Sequence, residues 1–395
     1  MSLEVRPLGV KCNLHCQYCY QNPERDAGNV IHQYDLGAIL ETLRCETQPF
    51  TLFGGEPLLL PLPDLEQLFA LGLKAHGENG IQTNGTLITA AHIVLFKQYQ
   101  VGVGISLDGP GPLNDARWAG TLKRTREQTA KAEAAIEALC AAGVPTSLII
   151  TLHRANASPA ALPILGDWLR HLEVIGMHSV RLHLLEIDDP AIGAKYALAP
   201  RENLEVLRYF EQLEPELPFL HLDVFGEMRA MLQGEDEEVS CVWRSCDPYT
   251  TEAVQGLEGN GQRSNCGRTN KDGVGFVKAN RDGYKRYLAL YLTPQSAGGC
   301  QGCRFFLMCK GQCPGTAIDG DWRNRTSDCE TWKQLFIYLE GRLQAEGITP
   351  LSLSPLRQHA ENFMLQAWAN GRNPSLRSAL SLLQGQNKTV AVDDT

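Results

Sequence analysis

Short apolar, β-branched runs alternate along the first half of the chain with longer stretches whose apolar residues recur every three or four positions. The runs fall at about 3–10, 51–55, 80–84, 101–108, 146–152 and 180–187, and the amphipathic stretches at 35–48, 62–76, 89–99, 125–142 and 158–172. Strands separated by helices of this length predict parallel βαβ units. Six strands fit an α/β fold, a partial (β/α)6 TIM-like barrel, in which ligands gather at the C-terminal ends of the strands. This barrel is expected over 1–195, a helical bridge over 196–240 and a cysteine-rich module over 241–335. The remainder, 336–395, continues a helix begun at about 331 and running to 346. It adds a helical stretch at 356–384, broken at Gly371-Arg372-Asn373-Pro374, and a mobile tail over 386–395.

The 395 residues carry 36 basic and 45 acidic side chains, a net charge of −9. That balance lacks the basic face of a nucleic-acid binder. No run approaches the ~18 apolar residues that a bilayer span requires, and the start, MSLEVRPLGVKC, is not a signal peptide. The expectation is a cytoplasmic protein with no nucleic-acid or membrane partner. In such a reducing compartment clustered thiols read as metal ligands rather than disulfides. The chain has 13 cysteines, three of them at Cys12, Cys16 and Cys19 and eight between Cys241 and Cys329. Cys45 and Cys140 stand apart on helical patterns and are expected to be buried as small hydrophobes.

Cys12-x3-Cys16-x2-Cys19 has an aromatic residue, Tyr18, before its third thiol. A structural zinc site wants four ligands; the fourth is missing locally, although His15 or a remote thiol could supply it. Three thiolates instead suit a cubane iron–sulfur cluster with one iron left open. Gly54-Gly55-Glu56-Pro57 ends the second strand, where glycines let backbone approach a ligand and a carboxylate can accept from an ammonium group; an ordinary turn would read the same. Thr83-Asn84-Gly85 ends the third strand. Ser106-Leu107-Asp108-Gly109-Pro110 ends the fourth, which a Ser/Asp turn also explains. Glu186, Asp188 and Asp189 follow the sixth strand at the barrel mouth, facing either substrate or solvent. His153 and His183 read as strand or surface histidines.

Together these motifs resemble the radical SAM superfamily, in which three N-terminal cysteines hold a [4Fe–4S] cluster whose open iron chelates S-adenosylmethionine. One electron then yields a 5′-deoxyadenosyl radical, so the hard chemistry belongs to the cofactor. The resemblance implies Gly54, Gly55 and Glu56 at the methionine amino group and Ser106 at the ribose or carboxylate. It implies Arg126, with Arg124 as its rival, at the S-adenosylmethionine carboxylate. Cys300-x2-Cys303-x5-Cys309-x3-Cys313, with Cys329 after a gap of fifteen, resembles the SPASM extension of that superfamily. Cys246, Gly261 and Cys266 fit its other half; a pair of zinc ribbons is the competing reading. With Cys241 as an eighth thiol, the resemblance implies two fully ligated auxiliary [4Fe–4S] clusters. Cys241, Cys246, Cys266 and Cys313 would hold the first, and Cys300, Cys303, Cys309 and Cys329 the second, making three clusters in all.

One departure bears on mechanism. Several relatives carry Cys-Gly-x-Asp with the aspartate as a base, but here the stretch is Cys266-Gly267-Arg268-Thr269, and threonine cannot serve as a base at neutral pH. Glu186, Asp188 and Asp272 are the candidates left. The implied activity is peptide maturation: hydrogen abstraction from Cα or Cβ of a ribosomally made precursor peptide. The outcome is either splicease excision of a tyrosine-derived fragment to leave an α-keto-β-amide, or C–C or thioether cross-linking. Formylglycine formation, as in anaerobic sulfatase-maturing enzymes, is the alternative. A non-catalytic iron–sulfur electron carrier would leave the GGEP and SLDG loops unexplained. Eleven residues precede Cys12, too few for the leader-binding domain of some relatives. A separate small leader-binding partner is therefore expected, with flavodoxin or ferredoxin as electron donor.

Overall fold

Parallel strands need long crossovers, and the amphipathic stretches supply them. The computed structural model describes residues 3–26, 33–187, 189–244, 246–247, 249–251, 254–269, 279 and 283–390. Six strands follow the expected order: β1 (Leu3–Arg6), β2 (Phe50–Leu52), β3 (Asn79–Thr83), β4 (Val101–Ser106), β5 (Thr146–Leu152) and β6 (Ser179–Leu184). Each is parallel to the next. Three short strands extend the sheet: β7 (His221–Leu222), β8 (Gln255–Glu258) and β9 (Arg263–Asn265). Among the described residues nine strands thus form one sheet, in the order β7-β6-β5-β4-β3-β2-β1-β8-β9.

Side chains alternate across a strand, and here the two faces differ in kind. Val5, Leu52, Ile81, Val103, Ile105, Leu148, Ile150, Val180 and Leu182 are buried on the face covered by the crossover helices. The registers place Glu4, Thr51, Gly80, Gly102, Gln82, Gly104, Ser147, Ser106, Arg181 and His183 on the other face. A closed barrel fills that face with branched apolar side chains. Small and polar residues leave this one open for polar chemistry.

The chain divides into two compact units, one comprising the described residues of 1–223 and 254–276, the other those of 224–253 and 277–395. The division differs from the boundaries expected from sequence. The helix Pro200–Leu213, expected in the bridge, belongs to the first unit, whereas 224–232 belongs to the second. The β8–β9 hairpin, expected in the cysteine module, joins the barrel sheet because β8 pairs in parallel with β1. It satisfies the otherwise open edge of β1. A buried ion pair between Arg6 and Glu258 pins it there, with Ser264 Oγ accepting from Arg6 Nη2 at 3.1 Å.

The second unit is held by interlocked aromatic rings. Trp243 stands edge-on to Trp332 (5.3 Å) and Phe336 (5.7 Å), Phe305 stacks on Phe336 (5.3 Å), and Trp368 meets Tyr287 at 5.1 Å. Such pairs contribute about 0.5–1.5 kcal/mol each beyond area burial. The C-terminal helices are Cys329–Ala345, Arg357–Ala369 and Leu376–Val390. The expected break separates the last two, and Trp368 Nε1 donates to Asn373 Oδ1 across it at 2.7 Å. The final helix enters the stretch expected as a tail, of which 391–395 lie outside the described residues. Among the described residues no helix is long and apolar enough to cross a membrane.

Removing one partner of a buried ion pair strands the other charge. Glu258→Ala should therefore cost about 3–5 kcal/mol, read as a lower urea midpoint, and the apolar pair Arg6→Met with Glu258→Leu should recover most of the loss.

Candidate active site

The thiol loop Cys12–Cys19 follows β1 and is clamped from two sides. On the first side lies the Gly54-Gly55 turn. A Cβ on Gly55 would stand 2.2 Å from the Lys11 carbonyl oxygen, and one on Gly54, whose φ is +123°, 2.5 Å from that of Gly9. Gly55 N–H donates to Gly9 O and Glu56 N–H to Lys11 O, both at 2.9 Å. Only glycine allows that approach.

Glu56 departs from expectation. Its buried carboxylate accepts from Leu58 N (3.0 Å), Thr83 Oγ1 (2.6 Å) and Asn84 N (2.8 Å). It is turned inward as a brace between the ends of β2 and β3 instead of being offered to an ammonium group. Burial raises its pKa. Asn84 in turn donates to Asn13 Oδ1 at 2.8 Å and to Cys12 Sγ at 3.8 Å, and Leu14 N–H reaches the same sulfur at 3.4 Å. Ser106 is half-buried on the open face and accepts from Gln82 Nε2 at 2.9 Å.

On the other side, the segment after β4 pairs with the thiol loop through His15 N–H to Trp118 O (2.7 Å) and Gln17 N–H to Ala116 O (2.9 Å). Beneath them Asp108 is fully buried. It accepts from the Tyr18 hydroxyl, from Arg117 Nη2 (2.9 Å) and from Thr151 N–H (3.1 Å), with His153 Nε2 at 3.4 Å. Burial alone would raise its carboxyl pKa, but Arg117, His153 and Tyr18 hold it below the usual range. The charge of Arg117 also bears on Cys16.

This network corrects two expectations. Arg126 lies on the solvent side of the helix Leu122–Ala141, paired with Asp115 at 2.5 and 2.7 Å. The buried stripe of that helix is Thr125, Thr129, Ala132 and Ile136, which excludes position 126. The arginine beside the thiols is Arg117, a single residue in a loop with no periodicity to mark it. His153 is not a surface histidine but is fully buried under Asp108.

Burial pushes the Cys12 thiol up to about 11 and that of Cys16 to about 12, and the nearby Cys19 adds repulsion to both. Such thiols ionise only beside a cation, as a metal supplies. Among the described residues no three Cys, His, Asp or Glu side chains converge tightly enough for a single ion. A cubane spaces its ligating sulfurs more widely, and N–H groups directed at Cys12 Sγ suit such a sulfur-rich group.

A third cluster stands on the open face at the end of β6. The Glu186 carboxylate lies 2.9 Å from Arg268 Nη1 and 3.6 Å from His183 Nε2. Arg268 also donates to His183 Nε2 and lies over the Tyr20 ring at 5.7 Å. Burial and the Arg268 charge lower the His183 pKa, so this imidazole is neutral and its Nε2 is an acceptor. His183, expected as an ordinary strand residue, is thereby placed with Glu186; its alternation with Arg181 along β6 was the signal available. Asp189 caps the helix Pro190–Tyr196 through Ala191 N–H at 2.7 Å. Asp188 and Asp272 lie outside the described residues. Thr269 Oγ1 donates to the Cys266 carbonyl at 2.9 Å and serves the local turn.

In the second unit Cys300, Cys303, Cys309 and Cys329 lie close enough for their charges to interact; Cys300 is pushed up to about 12, by burial first and then by Cys303 and Cys329. Arg286, buried, bears on Cys246, Cys313 and Cys300. Cys266 lies in the first unit and Cys241, Cys246 and Cys313 in the second. Cys45, expected to be buried, is exposed because its helix ends at Arg44, and Cys140 is half-buried.

Residues 7–159 match the family described as the radical SAM superfamily. This span contains all three N-terminal thiols and both clamping loops, and it is a radical SAM domain. A serine-type anaerobic sulfatase-maturating enzyme of Bacteroides thetaiotaomicron is 24% identical over 374 residues, covering 82% of this chain and 84% of that protein. One from Klebsiella aerogenes is 31% identical over 169 residues, 40% of this chain and 41% of that protein. Among solved structures, anSMEcpe with bound AdoMet and Cp18Cys peptide has a TM-score of 0.66 at 20% identity, covering 87% of this chain and 98% of that one. Streptococcus suis SuiB has a TM-score of 0.52 at 15% identity, covering 83% and 77%. The chain accordingly carries a radical SAM domain over residues 7–159, a class of domain that works with S-adenosylmethionine and an iron–sulfur cluster.

Asp108→Asn should lower stability by about 3–5 kcal/mol by stranding Arg117, whereas Arg126→Gln should stay within about 1 kcal/mol. The Asp108 carboxyl is held low in the folded state. Its contribution is therefore complete above the unfolded value, about 3.9, and declines as pH falls below it. Urea midpoints of wild type and Asp108→Asn should converge below about pH 4.

Proposed function

We propose that this enzyme matures a peptide substrate by oxidation, with Glu186 as the proton acceptor. The observation that carries the reading is the cluster of buried Glu186 with half-buried Arg268 and His183 at the C-terminal end of β6. Arg268 lies over Tyr20, the neighbour of Cys19, so the cluster belongs to the same end of the sheet as the thiol loop. Cys12, Cys16 and Cys19 would hold the S-adenosylmethionine-binding cluster, the Gly54–Gly55 backbone and Ser106 would contact the cofactor, and the Asp108 network would keep the loop in place. When bound, the cofactor supplies a 5′-deoxyadenosyl radical. The peptide would lose one hydrogen atom to the group held by Cys12, Cys16 and Cys19 and one electron to a group held by the auxiliary thiols, and Glu186 would accept the proton. Cys300, Cys303, Cys309 and Cys329 would hold one auxiliary iron–sulfur cluster; Cys241, Cys246, Cys266 and Cys313 keep the assignment to the other that the family resemblance implies.

Loss of two hydrogens fits a C–C or thioether cross-link in a ribosomally made precursor peptide presented by a small leader-binding partner, with flavodoxin or ferredoxin as the enzyme's electron donor. SuiB has been solved bound to precursor peptide SuiA, with a TM-score of 0.50 to this chain. Formylglycine formation on a sulfatase is the second reading, favoured by the Bacteroides enzyme's match along most of its length. Tyrosine-fragment excision is the third outcome to be measured.

Anaerobically reconstituted protein should bind about twelve irons and cleave S-adenosylmethionine to 5′-deoxyadenosine; Cys16→Ala should fall to about eight irons and lose that cleavage. Co-expressed with its peptide, the enzyme should shift the peptide mass by about −2 Da for a cross-link, against about −135 Da for excision. A sulfatase peptide turned over in place of the precursor would select formylglycine. Glu186→Gln should keep 5′-deoxyadenosine formation and slow product formation by about 10²–10⁴-fold. Unimpaired product formation would remove Glu186 from the reaction.

A further inference from the structure

Arg325 reaches the thiols of the second unit from the loop before the helix Cys329–Ala345. Its Nη1 donates to the carbonyls of Gln295 (2.7 Å) and Gly299 (2.6 Å), and its own N–H to Gly298 O (2.9 Å). Two carbonyls thus hold Nη1, and the backbone bond holds the main chain of Arg325, against the segment 295–299. From that position its charge bears on both Cys329 and Cys300. Its Nε is buried and, among the described residues, has no hydrogen-bond partner. A buried N–H without an acceptor costs about 1–3 kcal/mol, and the acceptors this thiol-lined place provides are sulfurs. The opposite loop is shaped to the same end. Lys310, Gly311 and Gln312 all take left-handed φ values of 46°, 79° and 57°, which for the two non-glycine residues is unfavourable. The bend turns Gly311 N–H toward the Cys309 sulfur, and Lys310 is held by Asp236 at 3.5 Å.

We propose that Arg325 is a positioning residue that hydrogen-bonds the sulfurs of the auxiliary iron–sulfur cluster held by Cys300, Cys303, Cys309 and Cys329, and raises that cluster's reduction potential so that it takes up an electron. The inference rests on the ligand set proposed above. An added electron makes the sulfurs more negative, so fixed N–H donors and a fixed cation stabilise the reduced cluster more than the oxidised one.

The test is a potentiometric titration, followed by electron paramagnetic resonance, of the full reconstituted chain. The signal that disappears in Cys309→Ala, with about four irons lost, identifies the cluster. Arg325→Gln should keep the wild-type iron content but move this midpoint negative. At the wild-type midpoint its reduced-to-oxidised ratio should fall about tenfold, 59 mV for one electron. Arg325→Lys, which keeps the charge and loses the fork of donors, should fall between the two, and it decides the matter should the glutamine variant lose iron. An unchanged midpoint with iron intact would overturn the role of Arg325. Full iron retention in Cys309→Ala would instead overturn the ligand set beneath it.

Discussion

Three thiols within eight residues of one loop impose the main constraint on the first unit, and burial resists the ionisation of Cys12 and Cys16. Those two gain a stable charged form only beside a metal, so the loop must hold the thiols in place without closing over them. The fold meets this with backbone rather than side chains on one side, where the glycine turn lies almost in contact with the carbonyls of Gly9 and Lys11. On the other side the Tyr18 hydroxyl and Arg117 converge on a carboxylate that never sees water. The polar residues of the GGEP and SLDG motifs are therefore divided in their duties. Glu56 and Asp108 brace the loops, while the glycine backbone and Ser106 are left on the side open to a ligand.

The contrast between the two faces of the sheet has a similar origin. A barrel that packed its interior would be more stable, since each buried branched side chain contributes about 1.5–3 kcal/mol. Glycine at positions 80, 102 and 104 and polar side chains at positions 4, 82, 106 and 183 give up that stabilisation. What is gained is a face on which a neutral imidazole, a carboxylate and a guanidinium can stand together. The buried pair of Arg6 and Glu258 marks the limit of this arrangement, where charge serves to attach a hairpin and not to meet a ligand.

The second unit resolves the same problem with different means. Aromatic rings set at 5.1–5.7 Å make a frame with, among the described residues, no sheet of its own, and short loops suspended from it carry the thiols. Left-handed residues and an anchored arginine then aim N–H groups at sulfur, a task for which regular helices, whose N–H groups are already committed, are poorly suited.

Much of this was legible in the sequence, because it depends on spacing. Six strands and their crossovers repeat with the period of apolar residues, and the motif loops come at strand ends because parallel strands all finish on one side. The thiol spacings likewise follow from how closely neighbouring residues can face one metal group. Other features depend on partners far away in the chain, and only tertiary structure decided them. Arg126 and Arg117 are both arginines near one helix start; the phase of the buried stripe leaves Arg126 outside, and Arg117, in the loop before the helix, is drawn inward by Asp108. The hairpin at 255–265 carries no long apolar run, yet it joins the barrel because Glu258 meets Arg6 across some 250 residues of chain. His183 and Glu186 are joined only because Arg268, three residues past that hairpin, is folded against them.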